Sequence, residues 1–393
     1  MIKKIVCAAL LPIIFSTNVN AEEVKELKLT LQNSIEMALK SNLDLAVEEY
    51  NPEIQRLNVQ KIRDEFGLYL GLAPQLRNNV SPTSNSFISG GALIEQFTQN
   101  YGLYLKKRFA AGGELSFNFD NAISSTNSNR VDFNPAFAPG LSLSFTQPIL
   151  RNAFNGSRRI MIGENQTKSS EMTLKTRIIS TIYQTKAAYW DVVAAKLRLD
   201  VLLKSLSFSE DLLKVNQERL KAGFASKVDI INAETVIATR QESVYQIRKD
   251  LGDAEDRLKR LINPDEKLFP NWRFNITATD SPVIPKVAVD TDKSFETAIN
   301  RPDYQISLID QQNIEIQKEI NNQNRLPTLN LTSSAGLQSL DRNYFSALGN
   351  LFGLKGYFWN VGLAFEVPIQ GNVGETEFRQ SLLNEKRQEV VLD

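Results

Sequence analysis

The chain has 393 residues, with 45 basic and 45 acidic side chains, one cysteine and no histidine. Balanced charge argues against a nucleic-acid partner, which usually needs a basic surface. Without histidine the Ser-His-Asp, Cys-His and zinc-ligand constellations cannot be assembled, and the acids form no convincing carboxylate pair, so neither enzymatic activity nor a cofactor or metal is expected.

Residues 1–21 have the three parts of a secretory signal: Lys3 and Lys4, a mostly apolar run from Ile5 to Phe15, and the small-residue cleavage site Val19-Asn20-Ala21. The apolar run, about 11 residues, is too short for a membrane-spanning helix, which needs roughly 20. A mature chain beginning near Glu22 therefore loses Cys7, the only cysteine. Cys7 is also too far from the cleavage site to become a lipid-bearing terminus. An exported chain without cysteine has no disulfide framework and depends on packing or assembly. No other segment approaches 18 consecutive apolar residues, so passage through a membrane would require strands of a closed barrel.

Residues 32–70 read as largely helical despite Pro52. Alternation follows. Ala111-Gly112-Gly113 is a turn signal between strands expected at 101–109 and 114–120, and 121–138, rich in Asn, Ser, Asp and Pro, reads as a long solvent-facing loop. Leu115, Phe117 and Phe119 interleave with polar residues, as do Leu141, Leu143 and Phe145. A period of two puts one set on each face of a strand. An apolar outside and polar inside suit a lipid-embedded, water-filled barrel; a soluble sandwich alternates in the same way.

From Ser157 to Asn263 there is no proline, and the one expected break is Lys221-Ala222-Gly223-Phe224-Ala225. Apolar residues at Ile182, Tyr189, Val192, Leu199, Leu203, Leu206, Leu213 and Leu220 form a coiled-coil seam. Ile230, Ala233, Ile237, Val244, Ile247, Leu251, Ala254, Leu258 and Leu261 form another. Gly223 suits the position ending the first helix; Ser226 can cap the second, with Asp229 in its first turn. About 65 helical residues span roughly 95–100 Å, whereas a return helix of about 37 residues spans only ~55 Å. The remainder of the long helix is expected to be covered by 32–70.

A second strand pair is expected near 328–338 and 356–368, joined by 339–355. Tyr344, Phe345, Phe352, Tyr357, Phe358 and Trp359 crowd it, as aromatics at a membrane interface or packed on a neighbouring loop would. The two halves echo each other. Leu141–Ile149 lies over Val361–Ile369, Ser34–Leu39 over Ser294–Ile299, and Ala73–Leu76 over Leu326–Leu329. After Pro148 comes the helical hairpin; after Pro368 only 25 residues remain. The expectation is a truncated product, fragment or engineered piece whose second hairpin is absent.

Ordered motifs carry a resemblance: Ser34, Ala38, Leu39, Asn42 and Asp44; the turn Arg219-Leu-Lys-Ala-Gly223-Phe-Ala-Ser-Lys-Val-Asp229, followed by Ala233-Glu234; Asn300-Arg-Pro-Asp303; Arg325-Leu-Pro327; and Gln147-Pro-Ile149. Over essentially all the mature chain they resemble the TolC-like outer-membrane efflux protein family, whose tip turn reads R-x3-G-x5-D. The resemblance implies a mixed α and transmembrane-β fold, with β-hairpins contributing to a shared outer-membrane barrel and a long coiled-coil α-hairpin contributing to a periplasmic α-barrel. It implies two structural repeats, here with the second incomplete. It also implies a homotrimer in outer-membrane lipid, passive export of drugs, metals or proteins, and two partners: a periplasmic adaptor and an inner-membrane transporter. Such a duct serves tripartite efflux or type I secretion.

The adaptor-contact tip carries over to Arg219, Leu220, Gly223, Phe224 and Ala225. The family's second hairpin holds much of the gate, so no gating residue is assigned. The implied division is a signal (1–21), N-terminal periplasmic helices (22–72), a first outer-membrane β region (73–150) and the long periplasmic hairpin (151–263). A linker with short equatorial helices (264–325), a second outer-membrane β-hairpin (326–370) and the start of a truncated second long helix (371–393) complete it. A different class fits the rod and strands alone: a structural or adhesive envelope protein without transport. A soluble coiled-coil binding module fits the helices.

Overall fold

A computed structural model describes residues 25–82, 93–265, 274–282 and 290–392; the expected signal lies outside them. The described elements begin with β1 (Lys25–Leu29), α1 (Leu31–Ser41), α2 (Leu43–Glu48), α3 (Tyr50–Asp64), β2 (Leu68–Pro82) and β3 (Leu93–Arg108). There follow β4 (Glu114–Thr126), β5 (Ala136–Pro148), α4 (Asn155–Lys221), α5 (Lys227–Ile262) and β6 (Phe274–Ala278). The last are α6 (Thr291–Ile299), α7 (Pro302–Asn324), β7 (Thr328–Gln338), α8 (Tyr344–Phe352), β8 (Tyr357–Glu366) and α9 (Val373–Leu392). They divide into two compact units.

One unit holds the described residues of 1–46 and 178–286. Its core contains Leu29, Tyr189, Val192, Leu258, Ile262 and Phe274, each no more than 2% exposed. Each such aliphatic side chain contributes about 1.5–3 kcal/mol on burial. β1 and β6 pair in parallel, Lys25 opposite Phe274 through Leu29 opposite Ala278. This corrects two expectations, since 22–72 and 264–325 each contain a strand that was read as helix or linker. Five-residue segments so far apart carry no local sign that they pair, and a parallel pair needs a long crossover in any case.

Two asparagines tie helix ends together in this unit. Asn42 ends α1: its Oδ1 accepts from the Leu45 N–H at 3.0 Å and its Nδ2 donates to the Leu261 carbonyl at 3.1 Å. Asn263 ends α5 in the left-handed region, at φ 37°, and its Nδ2 donates to the Ser41 carbonyl at 3.0 Å. Each asparagine thus satisfies a carbonyl at the end of the other's helix. Beside them Glu255 and Lys259 are buried 3.9 Å apart, with Lys259 Nζ 4.9 Å from the Phe274 ring centre. Burial pushes the Glu255 carboxyl up, and Lys259 opposes that shift.

The other unit holds residues 47–177 and the described residues of 287–393. Its sheet has six antiparallel strands in the order β2-β3-β4-β5-β7-β8. The strand lengths, 10 to 16 residues, meet the roughly 9–11 that a tilted strand needs to cross a bilayer. β2 starts at Leu68 rather than near residue 73, and the loop expected over 121–138 shrinks because β4 runs on to Thr126 and β5 begins at Ala136. Cross-strand pairing keeps these polar segments extended where composition alone suggests a loop.

Helices flank the sheet in pairs. α3 leads into β2 and α4 leaves β5; α7 leads into β7 and α9 leaves β8. α3 runs antiparallel to the first turns of α4, with Arg56–Glu171 at 2.8 Å, Arg63–Glu164 at 2.6 Å and Glu65–Arg159 at 2.9 Å. Gly163 lets α3 approach closely, because a methyl there would meet Val59 Cγ2 at 3.1 Å. α7 runs antiparallel to α9 in the same manner, with Lys318–Glu385 at 2.5 Å and Gln388 donating to the Ser307 carbonyl at 3.0 Å. The expectation that the return helix leaves part of α4 to another helix is met within this unit by α3.

Candidate functional site: a two-faced sheet and a helical tip

The pairing registers define side-chain rows that cross all six strands. Residues directly opposite on antiparallel strands share a face. One row runs Leu72, Leu103, Phe119, Leu141, Leu337, Tyr357. The next on the same face runs Leu70, Leu105, Phe117, Leu143, Ala335, Trp359. On the opposite face the intervening row is Gly71, Tyr104, Asn118, Ser142, Gly336, Phe358, and its neighbour is Tyr69, Lys106, Ser116, Ser144, Ser334, Asn360. One face is thus a continuous apolar band, and the other presents hydroxyls, amides, glycines and a few charges.

The apolar face is uncovered along its edges: Leu72 is 77% exposed and Trp359 72%. A soluble protein rarely leaves so large a contiguous apolar patch in water. No described helix is long and apolar enough to cross a membrane. At the loop end of the sheet the aromatics gather as the sequence suggests. Phe137 and Tyr344 meet edge-on with ring centres 6.1 Å apart, and Tyr344 meets Phe345 at 5.6 Å. α8 lies inside the loop that joins β7 to β8 and buries Ala347 and Leu351 completely.

At the other site, the tip between α4 and α5, chain reversal is built from two local devices. Gly223 takes φ +79°, a left-handed conformation that costs any residue with a Cβ. Its N–H donates to the Leu220 carbonyl at 3.0 Å, and the Phe224 N–H donates to the Arg219 carbonyl at 2.8 Å. Both bonds of a Schellman C-cap are therefore present. Three residues on, Ser226 Oγ accepts from the Asp229 N–H at 3.3 Å while Asp229 Oδ2 accepts from the Ser226 N–H at 2.8 Å, closing a capping box.

The Ser226 N–H, then its hydroxyl, hold the Asp229 carboxyl below its ordinary value. A lowered folded value makes the cap's contribution fully present above ~4 and lost as pH falls through the lowered value. Phe224 is 85% exposed. Arg219, Phe224, Ala225 and Asp229 line an open groove of about 490 Å³ with Leu212 and Asn216. Of the tip residues read from the sequence, Arg219, Phe224 and Ala225 share this groove, while Leu220 and Gly223 shape the turn beside it.

The remaining motifs serve as fastenings. Arg301 Nε donates to Asp303 Oδ1 at 3.0 Å just before α7, and this pairing keeps the Asp303 carboxyl low. Arg325 stacks over Phe378 at 4.6 Å, joining the end of α7 to α9. Gln147 donates to the Ala111 carbonyl at 3.1 Å, and the Ile149 N–H donates to the Leu329 carbonyl at 2.8 Å. Sequence reasoning missed the polar-face residues contributed by the start of β2, such as Tyr69, whereas Lys106 falls within the strand expected at 101–109. The signal was present in the alternation Leu68, Leu70, Leu72, Leu76 that runs back from the expected start of the sheet.

Known proteins agree with this geometry. The profile of the outer membrane efflux protein family matches residues 115–264, from β4 through the tip to the end of α5. No curated protein matches the sequence. Among solved structures, the outer-membrane channel OprN superposes with a TM-score of 0.63 at 14% identity, covering 92% of this chain and 69% of that one. The CmeC outer membrane channel of Campylobacter jejuni gives 0.60 at 16% identity, covering 92% of this chain and 66% of that one. The outer membrane protein VceC of Vibrio cholerae gives 0.58 at 13% identity, covering 92% and 74%. These likenesses establish the fold, and over residues 115–264, from β4 through the tip to the end of α5, the chain is similar to the outer membrane efflux protein family.

Proposed function

We propose that this protein is the channel subunit of an outer-membrane export duct. The six-stranded sheet lies in the outer membrane, apolar rows toward lipid and polar rows toward water. The helices of residues 31–64, 155–262 and 291–324 occupy the periplasm. Three copies surround one passage, a periplasmic adaptor docks on the tips, and an inner-membrane transporter supplies the energy of a tripartite efflux or type I secretion system. The observation that carries this reading is the side-chain partition of the sheet, because a polar face is of no use to a strand that only fills lipid. A water-filled duct needs no catalytic group; its wall only has to keep solutes hydrated during passage.

The test is electrical. Purified protein added to a planar lipid bilayer is expected to give stepwise, ohmic ion conductance. Protein that inserts yet passes no current overturns the duct and favours an envelope rod.

The adaptor contact is proposed at Arg219, Leu220, Gly223, Phe224 and Ala225. Gly223→Asp tests it cleanly, since a Cβ there meets nothing within 4 Å. The substitution strains the turn by about 1 kcal/mol and places an anion beside Phe224. Adaptor cross-linking is expected to fall while outer-membrane insertion stays normal; unchanged cross-linking removes the assignment.

A further inference from the structure

We infer that the closed barrel of this protein contains eighteen strands, six from each of three copies, and that β3 and β4 are the strands that widen it. The inference rests on the trimeric reading above and goes beyond it in the size of the passage. Within the chain, the sequence echoes place β2 opposite β7 and β5 opposite β8: Ala73–Leu76 lies over Leu326–Leu329, and Leu141–Ile149 over Val361–Ile369. The second half joins its two strands directly. The first half inserts the β3–β4 hairpin between its two, and the ladder runs unbroken through it, with β2 paired to β3 over 15 positions, β3 to β4 over 13 and β4 to β5 over 11. The apolar rows also cross the hairpin without interruption, through Leu103 and Phe119 in one row and Leu105 and Phe117 in the next. β3 and β4 are therefore wall, with a lipid-type face and a water-type face of their own.

Both sheet edges, β2 and β8, carry the apolar band to their outermost strand. An edge in lipid leaves N–H and C=O groups with nothing to bond, so it must be closed. The occupant that fits is the opposite edge of a second copy. With six strands alternating in direction, β8 runs opposite to β2, so the joint continues the antiparallel pattern, and no strand is left over at any copy number. Pro74 removes one donor from β2, a device that can protect an edge. Two prolines among the 15 residues of β2, Pro74 and the terminal Pro82, leave the rest of that edge open, so they create local gaps in the ladder rather than a stop. Barrel diameter grows about linearly with strand number, so eighteen strands give a passage about 1.5 times as wide as the twelve supplied if each half had only its matched pair.

The experiment uses the whole chain with Cys7→Ser, which removes the only native cysteine. Leu72→Cys on β2 is combined in turn with Tyr357→Cys, Trp359→Cys, Val361→Cys and Leu363→Cys on β8, all on the apolar face. A separate variant pairs Leu72→Cys with Leu141→Cys on β5. Those two strands are three strand spacings apart, ~14 Å, too far for a disulfide unless the hairpin leaves the sheet. After oxidation in membranes, at least one β2–β8 combination is expected to yield covalent dimers and trimers, and the β2–β5 combination no link. A β2–β5 disulfide, or no β2–β8 link at any of the four positions, overturns the eighteen-strand barrel even if the particle is a trimer. Mass measurement in detergent separates the premise: a particle of another copy number removes the trimeric reading, and the count of eighteen with it.

Discussion

Leu258 and Leu363 are the same residue in opposite circumstances. Leu258 is 0% exposed in the core of the helical unit, whereas Leu363 on β8 is 67% exposed on the apolar face of the sheet. In the helical unit, aliphatic side chains turn toward one another, and polar groups that go inside find partners, as Asn42 and Asn263 do. In the two central rows of each face of the sheet, the aliphatic and aromatic side chains gather on one side and the hydroxyls, amides and glycines on the other. On the proposed reading one region is organised against water and the other against lipid, so that hydrophobicity fixes which solvent a face meets, not whether that face is interior.

Truncating the two leucines sharpens this contrast most. Leu258→Ala opens a cavity and is expected to cost about 2–5 kcal/mol, read as a lowered unfolding midpoint of the helical unit. Leu363→Ala leaves no cavity and is expected to cost about 1 kcal/mol in lipid. Equal losses would mean that Leu363 is packed in protein, and the lipid assignment of that face would fall.

Charge breaks the comparison from the sheet's side. Val361→Arg puts a cation on the apolar face and is expected to cost about 2–4 kcal/mol near mid-membrane, seen as depletion of assembled protein in outer-membrane fractions. Asn360→Arg, one residue away on the polar face, is expected to assemble normally. If both variants assemble alike, the faces are not chemically distinct.

A smaller effect probes the helical unit's polar interior. The single proton of the Tyr189 hydroxyl is shared between the Leu29 carbonyl at 3.1 Å and Asp280 Oδ2 at 3.0 Å, its oxygen accepts from the Asp280 N–H at 3.3 Å, and burial pushes its pKa up. Tyr189→Phe keeps the ring in place. Leu29 still accepts from the Thr279 N–H at 3.1 Å, and Asp280 Oδ2 still accepts from the Leu31 N–H at 2.6 Å. The expected loss is therefore about 1 kcal/mol, measured by denaturant midpoint. A loss several times larger would show that these remaining bonds depend on the hydroxyl.

Much of the candidate site was legible because its determinants are local. The tip is legible in Gly223, Ser226 and Asp229, since a left-handed turn and a capping box are each specified within a few residues. The strand faces are legible in Leu115-Ser-Phe-Asn-Phe and Val361-Gly-Leu-Ala-Phe, where the period of two assigns faces without any knowledge of neighbours. The start of β2 was not found, because its alternation follows directly on a helix and a few apolar residues satisfy either period. The long loop expected after residue 120 is shorter for a different reason: Asn121 and Ser124 are poor strand formers held extended by partners on β3 and β5.

The sequence by itself therefore determined the periods, the helix ends, the tip and the two-faced character of the strands, all of which follow from interactions among near neighbours. Only the tertiary structure decided which strands stand side by side. The parallel joining of β1 to β6, the reciprocal bonds of Asn42 and Asn263, and the insertion of β3 and β4 into one unbroken ladder all link residues remote in the chain. A short strand can pair in many registers with many partners, and its own residues barely distinguish them. The choice falls to the sum of packing and hydrogen bonding once the whole chain has folded.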